Sequence, residues 1–263
     1  MSLFSNHEIT TWRKFAHEVR GKQSRLLTRL GDFKNSILVT GCQRSGSTML
    51  SQIITQSDGI VNYKFGKDSE LDAALILSGR IPQSNLGRYC FQTTYLNECY
   101  HEYFDHPENH IIWVIRNPYS VVYSMLYNWK DFALNELFIQ CGYAHMDCRD
   151  RIRFQRFGMF GIPRIRRAAY AYKGKISQLC ELRYGHSEKL FSVVEYDDLI
   201  CNKMRIFPLI YDRIGLIYRE EYTNSIRKES LSKKDKLSYQ ERSSIDDICM
   251  QVYQDVQVSE IFK

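Results

Sequence analysis

The stretch "ILVTGCQRSGSTML", residues 37–50, decides how the rest of the chain is read. It begins as an apolar run with β-branched residues and closes on Gly41, the pattern of a short buried strand. Gly41 and Gly46 then frame a loop followed by Ser47 and Thr48. The phosphate-loop pattern G-x-x-x-x-G-K-[ST] is met except at its lysine, where Ser47 stands. Such a loop curls until successive N–H groups point inward at an anion, and the helix it opens adds the positive end of its dipole. Ser47 and Thr48 bring hydroxyls, and Arg44 brings the cation, in a planar guanidinium suited to gripping two oxygens at once. A glycine-rich turn with no ligand is the competing reading of the loop taken alone.

Outward from the loop, "GIVNYKF" (59–65), "RYCFQTT" (88–94), "HIIWVIRN" (110–117) and "LFSVVEY" (190–196) read as further strands. Helical spacing occupies 47–56, 119–129 and 165–183, between several of them. Strands alternating with helices indicate a central parallel sheet covered on both faces, so the fold class is α/β, as one domain over 1–263. Residues 1–34 read as a helical cap. Within it a helix over 8–30 turns Trp12, Phe15, Val19, Leu26, Leu27 and Leu30 inward and carries Arg13, Lys14, Arg20, Lys22, Arg25 and Arg29 elsewhere. Ile245, Ile248, Cys249, Val252 and Val256 give a final amphipathic helix.

Composition narrows the function. With 263 residues, 44% of them hydrophobic, and a net charge of +6, the chain suits an anionic ligand better than a nucleic-acid coat. No apolar run approaches the length of a membrane span, and the N-terminal stretch lacks the apolar core of a secretory signal. Eight cysteines are scattered without CxxC pairs or metal-ligand spacing. The expectation is a cytoplasmic protein with reduced thiols and no metal; a Golgi-lumenal catalytic domain cut from its anchor is the alternative.

A second constellation, "HIIWVIRNPYSVVYSMLYNW", runs from a strand into Arg116, Asn117 and Pro118 and then into a helix carrying Ser124. Proline suits the first turn of a helix, where its missing N–H costs nothing. Arg116 at a strand end and Ser124 two turns into the helix converge on one anion at the C-terminal edge of the sheet, where ligands bind in open α/β folds. An ATPase more often ends such a strand with an Asp that holds Mg²⁺. Arg116 repels a metal and attracts a second phosphate.

At this point the chain resembles the sulfotransferase family. The first loop is similar to that family's 5′-phosphosulfate loop, "VIRNPYSVVYS" to its 3′-phosphate motif, and "LFSVVEYDDLICNKMRIFPLIYDRIGL" (190–216) to its "YEDL" segment with the helix after it. The three pieces follow the family's order over about residues 35–56, 108–130 and 188–217. The resemblance implies a P-loop NTPase-like α/β fold and the donor 3′-phosphoadenosine 5′-phosphosulfate (PAPS), with PAP as product and no metal. It implies that Gln43, Arg44, Ser45, Gly46, Ser47, Thr48 and Met49 surround the 5′-phosphate and that Arg44 stabilises the leaving oxygen. It likewise implies that Arg116 and Ser124 hold the 3′-phosphate and that Tyr196 lies on or near the adenine. A core-edge aromatic is the plainer reading of Tyr196.

The departures from the family are informative. Members that take phenols carry a catalytic His on a middle strand, where "RYCFQTTYL" offers only Gln92 and Thr93; His101, His106 and His110 read as surface residues. Carbohydrate, tyrosine and bacterial types are the nearer likeness, and some of these use a carboxylate after the second strand. In "NYKFGKDSELD", Asp68 matches that placement best, with Glu70 behind it and Lys64 or Lys67 in support. Asp68 reads equally as a helix N-cap. The family's C-terminal "RKG" loop has no clean counterpart, so Arg227 and Lys228 in "NSIRKES" are its candidates. Residues 141–175 form a basic acceptor-side insertion, either a solvated helix face or lid, or a surface for an anionic acceptor. The expected acceptor is a carbohydrate, glycolipid or small metabolite, without nucleic acid. A nucleotide-binding pseudo-enzyme or a small-molecule kinase is the alternative function.

Overall fold

The computed structural model of the protein describes residues 9–63 and 66–258. The chain runs α1 (Trp12–Phe15), β1 (Ile37–Gly41), α2 (Ser47–Thr55), α3 (Ser69–Leu77), β2 (Cys90–Gln92), β3 (His110–Ile115), α4 (Pro118–Asn128) and α5 (Asp131–Leu137). It continues through α6 (Cys148–Phe157), α7 (Arg164–Gly185), β4 (Phe191–Glu195), α8 (Tyr196–Cys201), α9 (Lys203–Arg213), α10 (Tyr239–Ile245) and α11 (Gln251–Val258). The four strands make one parallel sheet in the order β2-β1-β3-β4.

Strand alternation explains why both faces are covered. Leu38, Ile111, Trp113, Ile115, Phe191 and Val193 point into a core shared with α3, α4, α5 and α7. Their neighbours Ile37, Val39, Ile112, Val114 and Val194 point into a second core beneath α2, α8 and α9. A strand buried on both sides is mostly apolar, as these are, with Thr40, Gln92, His110 and Ser192 the buried polar exceptions. Each fully buried side chain such as Phe91 or Phe207 contributes roughly 1.5–3 kcal/mol. The α/β fold with a parallel sheet between helical layers is as the sequence indicated.

Three local expectations are corrected. The run at 59–65 is not a strand: its described part touches β2's neighbourhood through one parallel bridge, Ile60 to Arg88, and Lys64 and Phe65 lie outside the described residues. β2 is an edge strand of three residues, too short to carry a further ladder. The N-terminal helix continues from α1 as a π-helical turn only to Arg20. Leu26, Leu27 and Leu30 are buried all the same, because the buried carboxylate of Glu102 accepts the backbone N–H groups of Leu26 and Leu27 and replaces helical bonding there. His110 is not a surface residue. It is buried in β3 beside Ser192 (3.0 Å), and burial lowers its imidazole to about 4. Among the described residues, no helix is long and apolar enough to cross a membrane.

Candidate active site

Because β2 and β3 flank β1 on opposite sides, a crevice opens at the C-terminal ends of β1 and β3, the usual ligand position in such sheets. The loop after β1 lines it. Gly41, Arg44 and Gly46 take positive φ angles of 140°, 72° and 105°. A Cβ on Gly41 would stand 2.3 Å from the carbonyl oxygen of Val114, and one on Gly46 would stand 2.1 Å from the Tyr196 ring, so neither position accepts a side chain. Arg44 has no such exemption; a non-glycine residue held there costs on the order of 1 kcal/mol. That backbone turns its side chain across to α4, where Nε donates to Ser124 Oγ at 3.0 Å. Ser47 is buried at the start of α2, and Ser45 Oγ is buried without a hydrogen-bond partner among the described residues. Met49 packs on the second core, while Gln43 reaches the other way, donating to Thr94 O and Asn97 Oδ1, both at 2.9 Å.

Arg116 leaves the end of β3 and is nearly buried. Asn117 caps α4 by accepting from Tyr119 N, with Pro118 at its first position. The Arg116 guanidinium lies 4.2 Å from the centre of the Tyr196 ring, donates from Nη2 to Ser230 O (2.6 Å) and faces Asp197 Oδ1 at 3.6 Å. Tyr196 therefore packs between Gly46 and Arg116, and its hydroxyl meets Ser230 Oγ at 2.9 Å. Burial raises the Asp197 carboxyl, against the pull of Arg116 and Lys234.

One cation of this cluster was not anticipated. The short helical segment Glu229–Lys236 brings Lys233 to the cluster; its ammonium is lowered by burial first, then by Arg116 and Arg44, with Lys236 adding to the effect. Arg227 and Lys228 are both exposed. The run "SLSKKDK" was visible in the sequence as basic, but nothing in its spacing tied it to the crevice. Arg44, Arg116 and Lys233 make this end of the crevice positive, a field that favours an anion.

On the other side of the loop a cavity of about 410 Å³ opens between Arg44, Thr48, Glu70 and Gln92 on its inner wall and Trp12, Tyr95, Trp129 and Phe132 further out. Asp68 and Glu70, two residues apart, do different things. Asp68 is the N-cap of α3: Oδ1 accepts from Glu70 N (3.0 Å) and Leu71 N (3.2 Å), and Oδ2 accepts from Trp12 Nε1 (2.8 Å). Glu70 points at the loop instead. It accepts from Gln92 Nε2 (3.0 Å) and from the Thr94 hydroxyl, and Gln92 Nε2 also donates to Thr48 Oγ1 (2.9 Å). Burial pushes the Glu70 carboxyl up to about 7, opposed by the Thr94 hydrogen bond; Asp68 adds to the rise and Lys175 counters it. Gln92 is a second residue whose part in the site the sequence did not show, since the stretch was read there only for its lack of a His. Lys67 is exposed, and Lys64 lies outside the described residues.

Much of the basic insertion is engaged in holding itself together. Arg166 pairs with Asp150 and with Asp147 (2.9 Å), and Arg164 joins Asp131 (2.9 Å) and Trp129 O (2.7 Å). Arg149 and Arg156 are exposed.

No protein-family model matches the chain, and no curated protein matches it. Solved structures do. The sulfotransferase domain from the curacin biosynthetic pathway aligns with a TM-score of 0.53 at 13% identity, over 86% of this chain and 98% of that one. Mouse sulfotransferase SULT7A1, complexed with PAP, aligns with a TM-score of 0.53 at 14% identity, over 90% of this chain and 92% of that one. The chain has the sulfotransferase fold. At these identities the likeness is one of fold, and the chemistry is argued from this chain's own residues.

Proposed function

We propose that this protein transfers a sulfuryl group from PAPS to an acceptor hydroxyl. The observation that carries the reading is the pairing of a cation cluster, Arg44, Arg116 and Lys233, with a carboxyl raised to about 7, Glu70, on opposite sides of one phosphate loop. PAPS supplies an activated sulfuryl group and two phosphate positions. The loop N–H groups with Ser47, Thr48 and Arg44 bind the 5′ side; Arg116, Ser124 and Lys233 bind the 3′-phosphate, the feature that separates PAPS from ATP. Arg227 and Lys228 stay at the rim of that site. Tyr196 serves chiefly to hold Arg116 in place, with the adenine beyond it.

The acceptor enters the aromatic cavity. As its oxygen attacks sulfur, its proton passes to Glu70 and the bond between sulfur and the bridging phosphate oxygen breaks, releasing PAP. Arg44 stabilises the charge growing on that oxygen, where a preorganised donor acts most strongly. We assign the base to Glu70 rather than Asp68, whose oxygens already serve two backbone N–H groups and an indole. A carboxylate base in place of a strand His fits the carbohydrate, tyrosine and bacterial type. Carbohydrate, glycolipid and small-metabolite hydroxyls all remain within this reading. Eight free thiols support a reducing, cytoplasmic setting. The test is incubation with sulfur-labelled PAPS and a panel of hydroxyl acceptors, with and without EDTA. Labelled product in both arms is expected; failure of PAPS to bind, or transfer only from ATP with Mg²⁺, overturns the reading.

A further inference from the structure

Beneath the acceptor cavity lies a lysine with no acid beside it. Lys175 sits in the middle of α7 and is 1% exposed. Its burial is a consequence of packing. A Cβ on the preceding Gly174 would stand 2.0 Å from the carbonyl oxygen of Cys141, so α7 lies directly on the π-helical turn Phe138–Gly142 and turns Lys175 inward.

The direct hydrogen-bond partners of the ammonium are neutral. Nζ lies 3.3 Å from Thr94 O and 3.4 Å from Asn97 Oδ1, and 5.6 Å from the centre of the Trp113 ring. Among the described residues no carboxylate forms an ion pair with it. Burying an unpaired charge is among the most expensive things a fold does. A methionine would fill the same space without that cost, so packing alone does not account for a lysine here.

What Lys175 touches suggests the reason. The two oxygens it approaches are the same two that accept from Gln43 of the phosphate loop. Thr94 offers its carbonyl to Lys175 and its hydroxyl to Glu70. One residue thus separates the ammonium from the candidate base, and the ammonium also anchors the segment that joins that base to the loop. Burial lowers the Lys175 ammonium, opposed by Cys141, Cys42 and Glu70, with Arg20 adding to the fall; the groups facing Glu70 are Asp68 and Lys175, with Arg44 and Glu136 across the same cavity.

We propose that Lys175 is a positioning residue for the transfer step, tying segment 94–97 to the phosphate loop and supplying the buried positive charge that keeps Glu70 ionised. The proposal rests on Glu70 being the base. The charge acts through Glu70 and Thr94, and Lys175 itself touches no substrate.

The test compares the pH dependence of kcat at saturating PAPS in the wild type, Lys175→Met and Glu70→Gln. In the wild type an acid limb is expected from Glu70, whose carboxyl burial pushes up to about 7 in the free protein. In Lys175→Met that limb is expected to move to higher pH, so kcat falls below the limb and recovers on the alkaline plateau. A merely structural role lowers kcat by one factor at every pH, and an unmoved limb overturns the proposal. If Glu70→Gln retains wild-type turnover, the base assignment fails and this proposal with it. If Glu70→Gln is inactive and the Lys175→Met limb is unmoved, only this proposal fails. Should Lys175→Met not fold, the wild type still decides: the Lys175 Cε resonance is followed by NMR from pH 5 to 9, a range of about two units either side of the limb. The ammonium is expected to stay protonated throughout the Glu70 titration, and loss of its proton below that titration overturns the proposal.

Discussion

The end of the crevice proposed for the donor gathers Arg44, Arg116 and Lys233, with Asp197 beside Arg116, whereas the end proposed for the acceptor holds one carboxyl, Glu70, between the neutral donors Gln92 and Thr94. The first is short of negative charge and is completed by an anion. The second is short of solvation, and its acid is poised to exchange a proton near neutral pH. One loop serves both, since Arg44 turns to Ser124 while Gln43 and Thr48 turn toward Thr94 and Gln92. Binding and proton transfer should therefore separate under mutation.

The largest expected separation is at Glu70. Glu70→Gln should lower kcat by about a hundred- to ten-thousand-fold, the usual worth of a general base, with PAP affinity unchanged. Asp68→Asn should leave turnover within a few-fold. Asp68→Ala should instead lose about 1 kcal/mol of stability with the N-cap of α3, read as a lower Tm. Full turnover in Glu70→Gln would erase the contrast between the two ends.

At the donor end the order of effects reverses. Arg116→Ala should weaken PAP about ten-fold or more, since a charge-assisted contact is worth about 1.5–3 kcal/mol and Asp197 is left without its partner. Lys233→Ala should cost about 1 kcal/mol, roughly five-fold. Arg227→Ala, at an exposed position, should change PAP affinity less than either. Calorimetric titration of the three variants checks that ranking, and a larger loss at Arg227 than at Lys233 would move the third cation to the neighbouring segment.

The smallest effect is on stability, and its sign is fixed by the direction of the Glu70 shift. Folded Glu70 titrates at about 7, well above the unfolded range of about 4.3. The native state holds the extra proton between those values, so its contribution is complete below the unfolded pKa and is lost as pH rises through about 7. Glu70→Gln should therefore gain Tm relative to wild type as pH increases across that window, by a few degrees, in scanning calorimetry. A difference that does not change with pH would place the Glu70 carboxyl in water.

What the sequence made legible divides along the same line. The strands of the sheet and the loop were readable, apart from the run at 59–65, because apolar runs and glycine spacing are local patterns; the expected convergence of Arg116 and Ser124 was not, since Ser124 meets Arg44 while Arg116 meets Tyr196, Asp197 and Ser230. Lys233 was not, because it reaches the crevice from more than a hundred residues away through a short helical segment with no motif of its own. Asp68 looked the better base from its placement in the sequence; only the orientation of α3 shows Asp68 turned to its own backbone and Glu70 turned to the loop. Lys175 was one basic residue in a basic run until the packing of α7 on Cys141 buried it.

The central claim is that the donor end reads a 3′-phosphate. Isothermal titration of the wild-type protein with PAP and with ADP, in the same buffer with EDTA, tests it directly, since ADP carries on its 5′ side the phosphate that PAP carries at 3′. PAP should bind at least about ten-fold more tightly, and Arg116→Ala should remove most of the difference. Equal affinity for the two nucleotides, or a preference for ADP that appears only with Mg²⁺, would contradict the account.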